Sequence, residues 1–376
     1  MKVTAAVLTT TDAKRPYQES EPLTLQELTL EPPGPGEVLV KIASAGVCHS
    51  DLSVINGTRP RPLPMVLGHE AAGIVAGVGP GVSAVAEGDH VVFSFVPICG
   101  SCVPCQTGRP ALCERGAAAN SAGTLLSGRR PFRLHDGAEA QQHLGVSAFA
   151  EYTVCAQESL VRVRNDLPLD KACLFGCALL TGAGAVLNTA RVESGLPVLV
   201  VGLGGVGLAA VMAARAAGAH PIVAVDPSPE KLAHAKTLGA TYSMVPGDGT
   251  VEQIRALTSG GAAYAFEAAG HPDALATAYA ATRRGGTTVA IGLPHPTHSF
   301  QLPALSLVAE ERRLVGSYMG SAVPRRDIPR YIELYRAGLL PVDLLADSEL
   351  PLVGINTALE RLATGSVGRQ LIRPHS

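Results

Sequence analysis

The spacing of apolar positions changes near residue 168, and the change divides the chain into two kinds of structure. Before it, short apolar runs stand between turns. Val38–Ile42, Ala71–Val78 and Val91–Phe95 read as strands, separated by Pro33-Gly34-Pro35-Gly36 and Gly79-Pro80-Gly81. Residues 114–147 are small, polar and irregular, and read as a long surface excursion. After the change, Leu169–Asn188 reads as a helix. Strands and helices then alternate: Val198–Val201, helix Val206–Ala217, Ile222–Asp226, helix Pro229–Leu238, a short strand near Tyr242, helix Val251–Ser259, Tyr264–Glu267, helix Pro272–Thr282 and Thr287–Gly292. Such alternation predicts βαβ units around a parallel sheet. Beyond about residue 318 the pattern stops. The expectation is an α/β chain: a doubly wound parallel sheet over 181–317, and a β-rich domain made of 1–180 and a returning segment, 318–376.

With 376 residues the chain can hold two or three domains. Its net charge of −2 gives no electrostatic footprint for nucleic acid or an anionic membrane. Two uncharged runs, Ala172–Ala190 and Gly195–Ala214, are long enough to raise the question of a membrane span. Glycines interrupt both, so they read as a buried helix and a strand–turn–helix. No charged segment followed by an apolar stretch opens the chain, so no signal peptide is expected. Eight cysteines then point to metal and reduced thiols, and the cytoplasm is the expected compartment.

The strongest chemical signal is Cys99, Cys102, Cys105 and Cys113, spaced C-x2-C-x2-C-x7-C in a Pro- and Gly-rich loop. Four thiolates in one loop close a tetrahedral zinc site of the structural kind. A second signal follows the apolar strand Val198–Val201. Gly202-Leu203-Gly204-Gly205-Val206-Gly207 opens a helix there. Gly202 suits a tight turn, Gly204 lets backbone approach a pyrophosphate, and Gly207 lets helix and strand pack closely. Asp226 ends the next strand, 19 residues after Gly207, where an acid receives the ribose hydroxyls and disfavours an extra phosphate. This is a Rossmann-type site that predicts NAD. A third group is dispersed: Cys48-His49-Ser50-Asp51, Gly68-His69-Glu70, and Cys177. One His and two Cys form a zinc set with an open fourth position.

Taken together, these motifs resemble the zinc-dependent medium-chain alcohol dehydrogenases over nearly the whole chain. The pieces are Cys48-His-Ser-Asp51, Gly68-His-Glu-Ala-Ala-Gly73, the four-cysteine loop, Gly176-Cys177 with Thr181-Gly182, Gly202–Gly207 and Val225-Asp226. The resemblance implies a GroES-like catalytic domain beside the Rossmann domain, with the active site between them. It implies a catalytic zinc on Cys48, His69 and Cys177, with Glu70 nearby and Asp51 orienting His69. Ser50 would take the substrate's proton. His49, Thr181, Val206, Lys231, Leu293 and Arg369 would contact the cofactor, Arg369 at the pyrophosphate. The implied reaction is hydride transfer between NAD and a small alcohol or aldehyde. A homodimer is implied, joined edge to edge near Thr287–Gly292 and Arg313–Met319.

Three departures from the family pattern bear on detail. His49 replaces a frequent arginine. Ser53 replaces a histidine that ends the proton relay in well-known members. Arg59 and Ala117 stand where glutathione-dependent formaldehyde dehydrogenases of the family keep an acid and a base, which argues against a glutathione adduct. A mycothiol-type adduct stays open as the alternative, and a non-catalytic NAD-binding protein is a more distant one. Pocket candidates are Ser50, Phe95, His143, Leu144, Leu293 and Met319, and the apolar ones suit benzylic or medium-chain alcohols. Cys155 and Cys173 carry no assigned role.

Overall fold

A computed structural model describes residues 1–376. The chain forms two compact units. The first contains Met1–Cys177, Val323–Pro329 and Ala346–Ser376, and the second contains Ala178–Ala322 and Arg330–Leu345. Residues 330–345, read from the sequence as part of the returning segment, therefore belong with the second unit.

The first unit is built on two sheets. Lys2–Leu8 pairs antiparallel with Leu23–Leu30 along its full length. A closed barrel forms when Phe132–Arg133, Glu139–Gln142 and Met65–Val66 complete the ring. Val3, Leu28, Leu30, Phe132 and Ala140 fill its core. This corrects the reading of 114–147 as a surface excursion. The segment contains a helix, Glu114–Ala122, and two barrel strands. Those strands have two and four residues, too few for a period of two to stand out against the loops. Its arginines are not simply solvated either. Arg129 pairs with the buried Glu37 and, at 3.0 Å, with Glu31, while Arg133 bonds Glu31 at 2.8 Å and Glu139 at 2.7 Å.

The second sheet runs in the order Leu160–Val163, His90–Phe93, Glu70–Val78, Glu37–Gly46, Arg369–Arg373, Ala346–Pro351, with Tyr152–Ala156 also on Glu37–Gly46. Its register builds the site. Gly46 pairs with Glu70 on one side and Leu371 on the other. Cys48, His69 and Arg369 are thereby gathered at one end of three adjacent strands, although they lie far apart in sequence.

The expected helix Leu169–Asn188 is broken into Leu169–Ala172, Cys173–Phe175, Ala178–Gly184 and Ala185–Ala190. The break falls at Gly176. A Cβ there would lie 2.3 Å from Phe93 O, so the chain passes too close to a strand for a regular helix to continue. Cys177 sits at this interruption. No single helix is long and apolar enough to cross a membrane; the bent pair Leu169–Phe175 and Ala178–Ala190 has the composition, and most of its apolar side chains are buried in the fold.

The second unit contains a six-stranded parallel sheet in the order Tyr242–Met244, Ile222–Val225, Val198–Val201, Ala262–Glu267, Thr282–Ala290, Arg313–Gly316. Val198–Val201 is apolar throughout and buried, as a central parallel strand covered on both faces must be. The chain order reverses between Val198–Val201 and Ala262–Glu267, which puts a ligand crevice at their carboxyl ends.

Phe132 is fully buried in the barrel. Phe132→Ala should lower stability by about 3–5 kcal/mol, the usual cost of removing a buried aromatic. A denaturant titration checks this; a change under about 1 kcal/mol would contradict a core position for this segment.

Candidate active site

Cys48 is the N-cap of the short helix His49–Ile55. One carboxylate organises that turn. Asp51 Oδ2 accepts the Cys48 N–H at 2.9 Å, and Asp51 Oδ1 lies 3.1 Å from His69 Nδ1. Asp51 is fully buried. Burial alone would raise its pKa, but His69 and His143 outweigh it and bring it down to about 2. Ionised Asp51 fixes the His69 ring with Nδ1 facing the carboxylate. The other nitrogen, Nε2, then faces Cys177 Sγ at 3.5 Å.

The ligand atoms of Cys48, His69 and Cys177 lie within 4.8 Å of one another, and all three residues are buried. Two thiols and one imidazole, with the imidazole's far side held by an acid, fit a zinc ion with one position left for an outside ligand. The surroundings favour thiolate at Cys48. A hydrogen bond from Cys177 pulls its pKa down, burial opposes this, and the charges of Arg369 and His69 add to the lowering. Arg369 Nη2 is 3.4 Å from Cys48 Sγ and 3.3 Å from Glu70 Oε2. The Glu70 carboxyl presses against Gly46, where a Cβ would fall 2.1 Å from Oε1, so only glycine leaves room.

Cys99, Cys102, Cys105 and Cys113 form a second group of four, again with ligand atoms within 4.8 Å. Backbone N–H groups point at the sulfurs: Cys99 N and Gly116 N at Cys113 Sγ, both 3.3 Å, and Cys102 N at Cys99 Sγ, 3.4 Å. Burial resists ionisation of Cys99, but the donors around it bring its pKa to about 6. All eight cysteines are free thiols. The four-sulfur group fits structural zinc.

In the second unit, Gly202 has φ +91° and its hydrogen faces Ala269 N, where a Cβ would come within 2.5 Å. A Cβ on Gly207 would lie 1.8 Å from Gly202 O. Gly204, the N-cap of Gly205–Ala216, faces open space. That is the combination a pyrophosphate needs: a tight turn, close packing, and one unobstructed side at a helix N-terminus. Asp226 accepts from Leu203 N at 2.7 Å through Oδ2 and from Ser228 N at 2.9 Å through Oδ1. Ser228, not Asp226, caps the following helix. Each Asp226 oxygen keeps a lone pair for a ribose hydroxyl. Lys231 lies in the first turn of that helix. Thr181 and Val206 are on two helices in close contact, since a Cβ on Gly182 would meet Val206 O at 2.3 Å.

Other residues expected at the site have the following surroundings. Arg369, expected at the cofactor's pyrophosphate, is 3% exposed and its guanidinium is engaged by Glu70, Cys48 and Val47 O. The adjacent sheet register, invisible in a linear motif, puts it there. His143, expected as pocket lining, is buried with its ring 5.4 Å from that of His69 and its Nδ1 3.3 Å from Asp51 Oδ1. Nothing in the spacing signals that contact. Phe95 stacks edge-on against His69 at 5.8 Å. Leu293 is 53% exposed and Met319 is buried, each within the second unit. Ser50 Oγ lies 3.9 Å from Cys48 Sγ. Ser53 Oγ donates to His49 O at 2.8 Å, within its own helix. Cys155 and Cys173 are buried, and burial pushes the Cys173 thiol up to about 12, which suits inert core residues.

A three-ligand metal set and a dinucleotide crevice in one chain define the class of metal-dependent nicotinamide oxidoreductases. Residues 34–165 match the alcohol dehydrogenase GroES-like domain family, and residues 205–337 match the zinc-binding dehydrogenase family. Putative alcohol dehydrogenase D of Mycobacterium tuberculosis is 38% identical, over 99% of this chain and 100% of its own length. Alcohol dehydrogenase class-3 of Drosophila melanogaster is 37% identical, also over 99% and 100%. The crystal structure of benzyl alcohol dehydrogenase from Acinetobacter calcoaceticus superposes with a TM-score of 0.92 at 33% identity, covering 99% of both chains. The chain belongs to the zinc-dependent medium-chain alcohol dehydrogenase family. Its cofactors are zinc and NAD.

Two zinc ions per chain are expected by elemental analysis. Asp51→Asn should weaken the three-ligand site by about 10–100-fold, the usual effect of removing a carboxylate behind a metal-bound imidazole. The four-sulfur ion should remain in that variant. Cys102→Ser should do the reverse and also lower the melting temperature. Equal loss of both ions from either variant would contradict two independent sites.

Proposed function

We propose that the chain is an NAD-dependent zinc alcohol dehydrogenase that interconverts alcohols with aldehydes or ketones. The observation that carries this reading is the buried set of Cys48, His69 and Cys177, of which Cys48 and His69 are both held by Asp51. A zinc ion bound there supplies a Lewis acid that polarises the substrate's oxygen. The chain's own residues supply the rest. Ser50 receives the hydroxyl proton of the alcohol. His49, on the exposed face of the same turn, is the route by which that proton reaches water, because Ser53 is committed to a carbonyl in its own helix. Asp51 keeps the His69 ring in one tautomer. Glu70 and Arg369 form a buried ion pair beside Cys48 that offsets thiolate charge. The loop Gly202–Gly207 and Asp226 would hold NAD, which when bound would supply the hydride acceptor for the alcohol carbon. Thr181, Val206 and Leu293 are the proposed nicotinamide-side contacts, and Lys231 the ribose-side one.

Phe95 and Leu144 favour substrates with an apolar body, benzylic or medium-chain. Similarity to a benzyl alcohol dehydrogenase supports that preference. The thiol-adduct alternative, oxidation of a mycothiol–formaldehyde adduct, rests on the same scaffold and is the second arm of the test. A panel of alcohols with NAD and NADP, followed at the nicotinamide absorbance, and formaldehyde with and without mycothiol, separate the two. Free alcohols should be oxidised with NAD. Ser50→Ala should lower kcat by about 10²–10⁴-fold, the range for a lost proton-transfer group. Oxidation of formaldehyde alone, and only with mycothiol, would transfer the assignment to the alternative.

A cytoplasmic setting is supported by eight free thiols, which persist in a reducing compartment. A homodimer is supported by the outer strand Arg313–Gly316, which has one neighbour in its sheet. Leu305 and Val308, 76% and 80% exposed, lie just before it in sequence. A second copy pairing along that edge would satisfy the backbone groups and cover the apolar side chains. Light scattering should report a dimer, and Val308→Asp should shift it toward monomer. A monomeric parent protein would refute this.

A further inference from the structure

The strand His90–Phe93 ends two residues before Phe95. Its last paired residue, Phe93, faces Leu160, and Ser94 N still reaches Ser159 O at 2.8 Å. Beyond that point the ladder no longer fixes the backbone. Phe95 is nevertheless buried, with its ring edge-on to His69 at 5.8 Å.

The anchor comes from another element. Asn120 is a buried residue of the helix Glu114–Ala122, and its Nδ2 donates to Phe95 O at 2.8 Å. That helix is itself well held. Cys113 Sγ caps it by accepting from Gly116 N, and a Cβ on Gly116 would lie 2.3 Å from Pro97 O. Asn120 Oδ1 is buried and accepts no hydrogen bond. An unpaired buried oxygen is costly, and leucine would fill the same space without it. What an amide adds at this position is its N–H on the Phe95 carbonyl.

The facing loop carries His143 and Leu144 and is fixed independently. Ser147 Oγ accepts from His143 N and donates to Val66 O, both at 2.8 Å. The turn packs on Asn120: a Cβ on Gly145 would lie 3.7 Å from Asn120 Oδ1 and 3.7 Å from Pro97 Cγ. Asn120 therefore stands between two loops, one bearing Phe95 and the other Leu144.

We infer that Asn120 is a positioning residue that sets the preference for large over small alcohols, acting through Phe95. This rests on the dehydrogenase reading and on the apolar pocket proposed above. An alcohol with a bulky apolar body reaches the Phe95 ring and depends on where that ring is held. Ethanol is too short to do so.

The test uses the zinc-loaded, full-length protein with NAD, and compares kcat/KM for benzyl alcohol and ethanol. Asn120→Leu keeps the volume and removes the donor; Asn120→Ala removes both. Each should lower the benzyl-to-ethanol ratio by about tenfold, the discrimination a displaced apolar wall forfeits, mostly through the KM of benzyl alcohol. A general loss of stability would instead lower the rates with both alcohols together. In a Phe95→Ala background, Asn120→Leu should change the ratio by less than about twofold, because the two residues then act as one unit. Zinc content of each variant reports that the first unit is folded. A parental ratio in Asn120→Leu would overturn the inference and leave the dehydrogenase reading intact. So would an undiminished effect of Asn120→Leu when Phe95 is already alanine. Loss of zinc from both variants would overturn it too, by making Asn120 a requirement of folding. Failure of the parent protein to oxidise either alcohol would sink both readings.

Discussion

One buried carboxylate holds the catalytic site in shape. Asp51 accepts the Cys48 N–H with one oxygen and faces His69 Nδ1 with the other. Two of the three metal-binding residues are thus placed by the same side chain. Its charge survives burial because two imidazoles and a backbone donor surround it. Loss of that charge would free the Cys48 turn and the His69 ring together. The third ligand, Cys177, is placed by a different constraint: the close approach of Gly176 to Phe93 O, which breaks the helix where the thiol is required.

Electrostatic balance around the metal group is also internal. Two thiolates and Glu70 would leave a buried excess of negative charge, and burying it would be costly without partners. Arg369 meets both Cys48 and Glu70. The guanidinium arrives on the strand Arg369–Arg373, added to the sheet from the far end of the chain. The returning segment therefore supplies a charged partner to the buried Cys48 and Glu70 as well as closing the sheet. The four-sulfur group lies in the same unit but in its own loop, with its own backbone donors. A metal there stabilises a Pro- and Gly-rich segment that has little apolar surface to bury.

The dinucleotide crevice obeys separate rules. It depends on positions where no Cβ fits, Gly202 and Gly207, and one where the space is open, Gly204. Asp226 ties the loop to the next strand through Leu203 N before any ligand arrives. The crevice is preorganised by backbone and one acid, whereas the metal site is preorganised by side-chain charge.

Local signals settled a great deal. The four-cysteine loop, the glycine loop with Asp226, and the alternation from residue 198 onward are each written in a few dozen contiguous residues, because their geometry is local: a turn, a helix start, a βαβ repeat. The ligand trio was legible as one set, and the structure brings its ligand atoms within 4.8 Å of one another. Tertiary structure decided what depends on sheet register and on pairs distant in sequence. It put Arg369 against Cys48 and not at an open surface, drew His143 onto Asp51, and made 114–147 part of a barrel. Those outcomes turn on which strand lies beside which, and a linear pattern holds no such information when strands are two to four residues long or when partners are hundreds of positions apart.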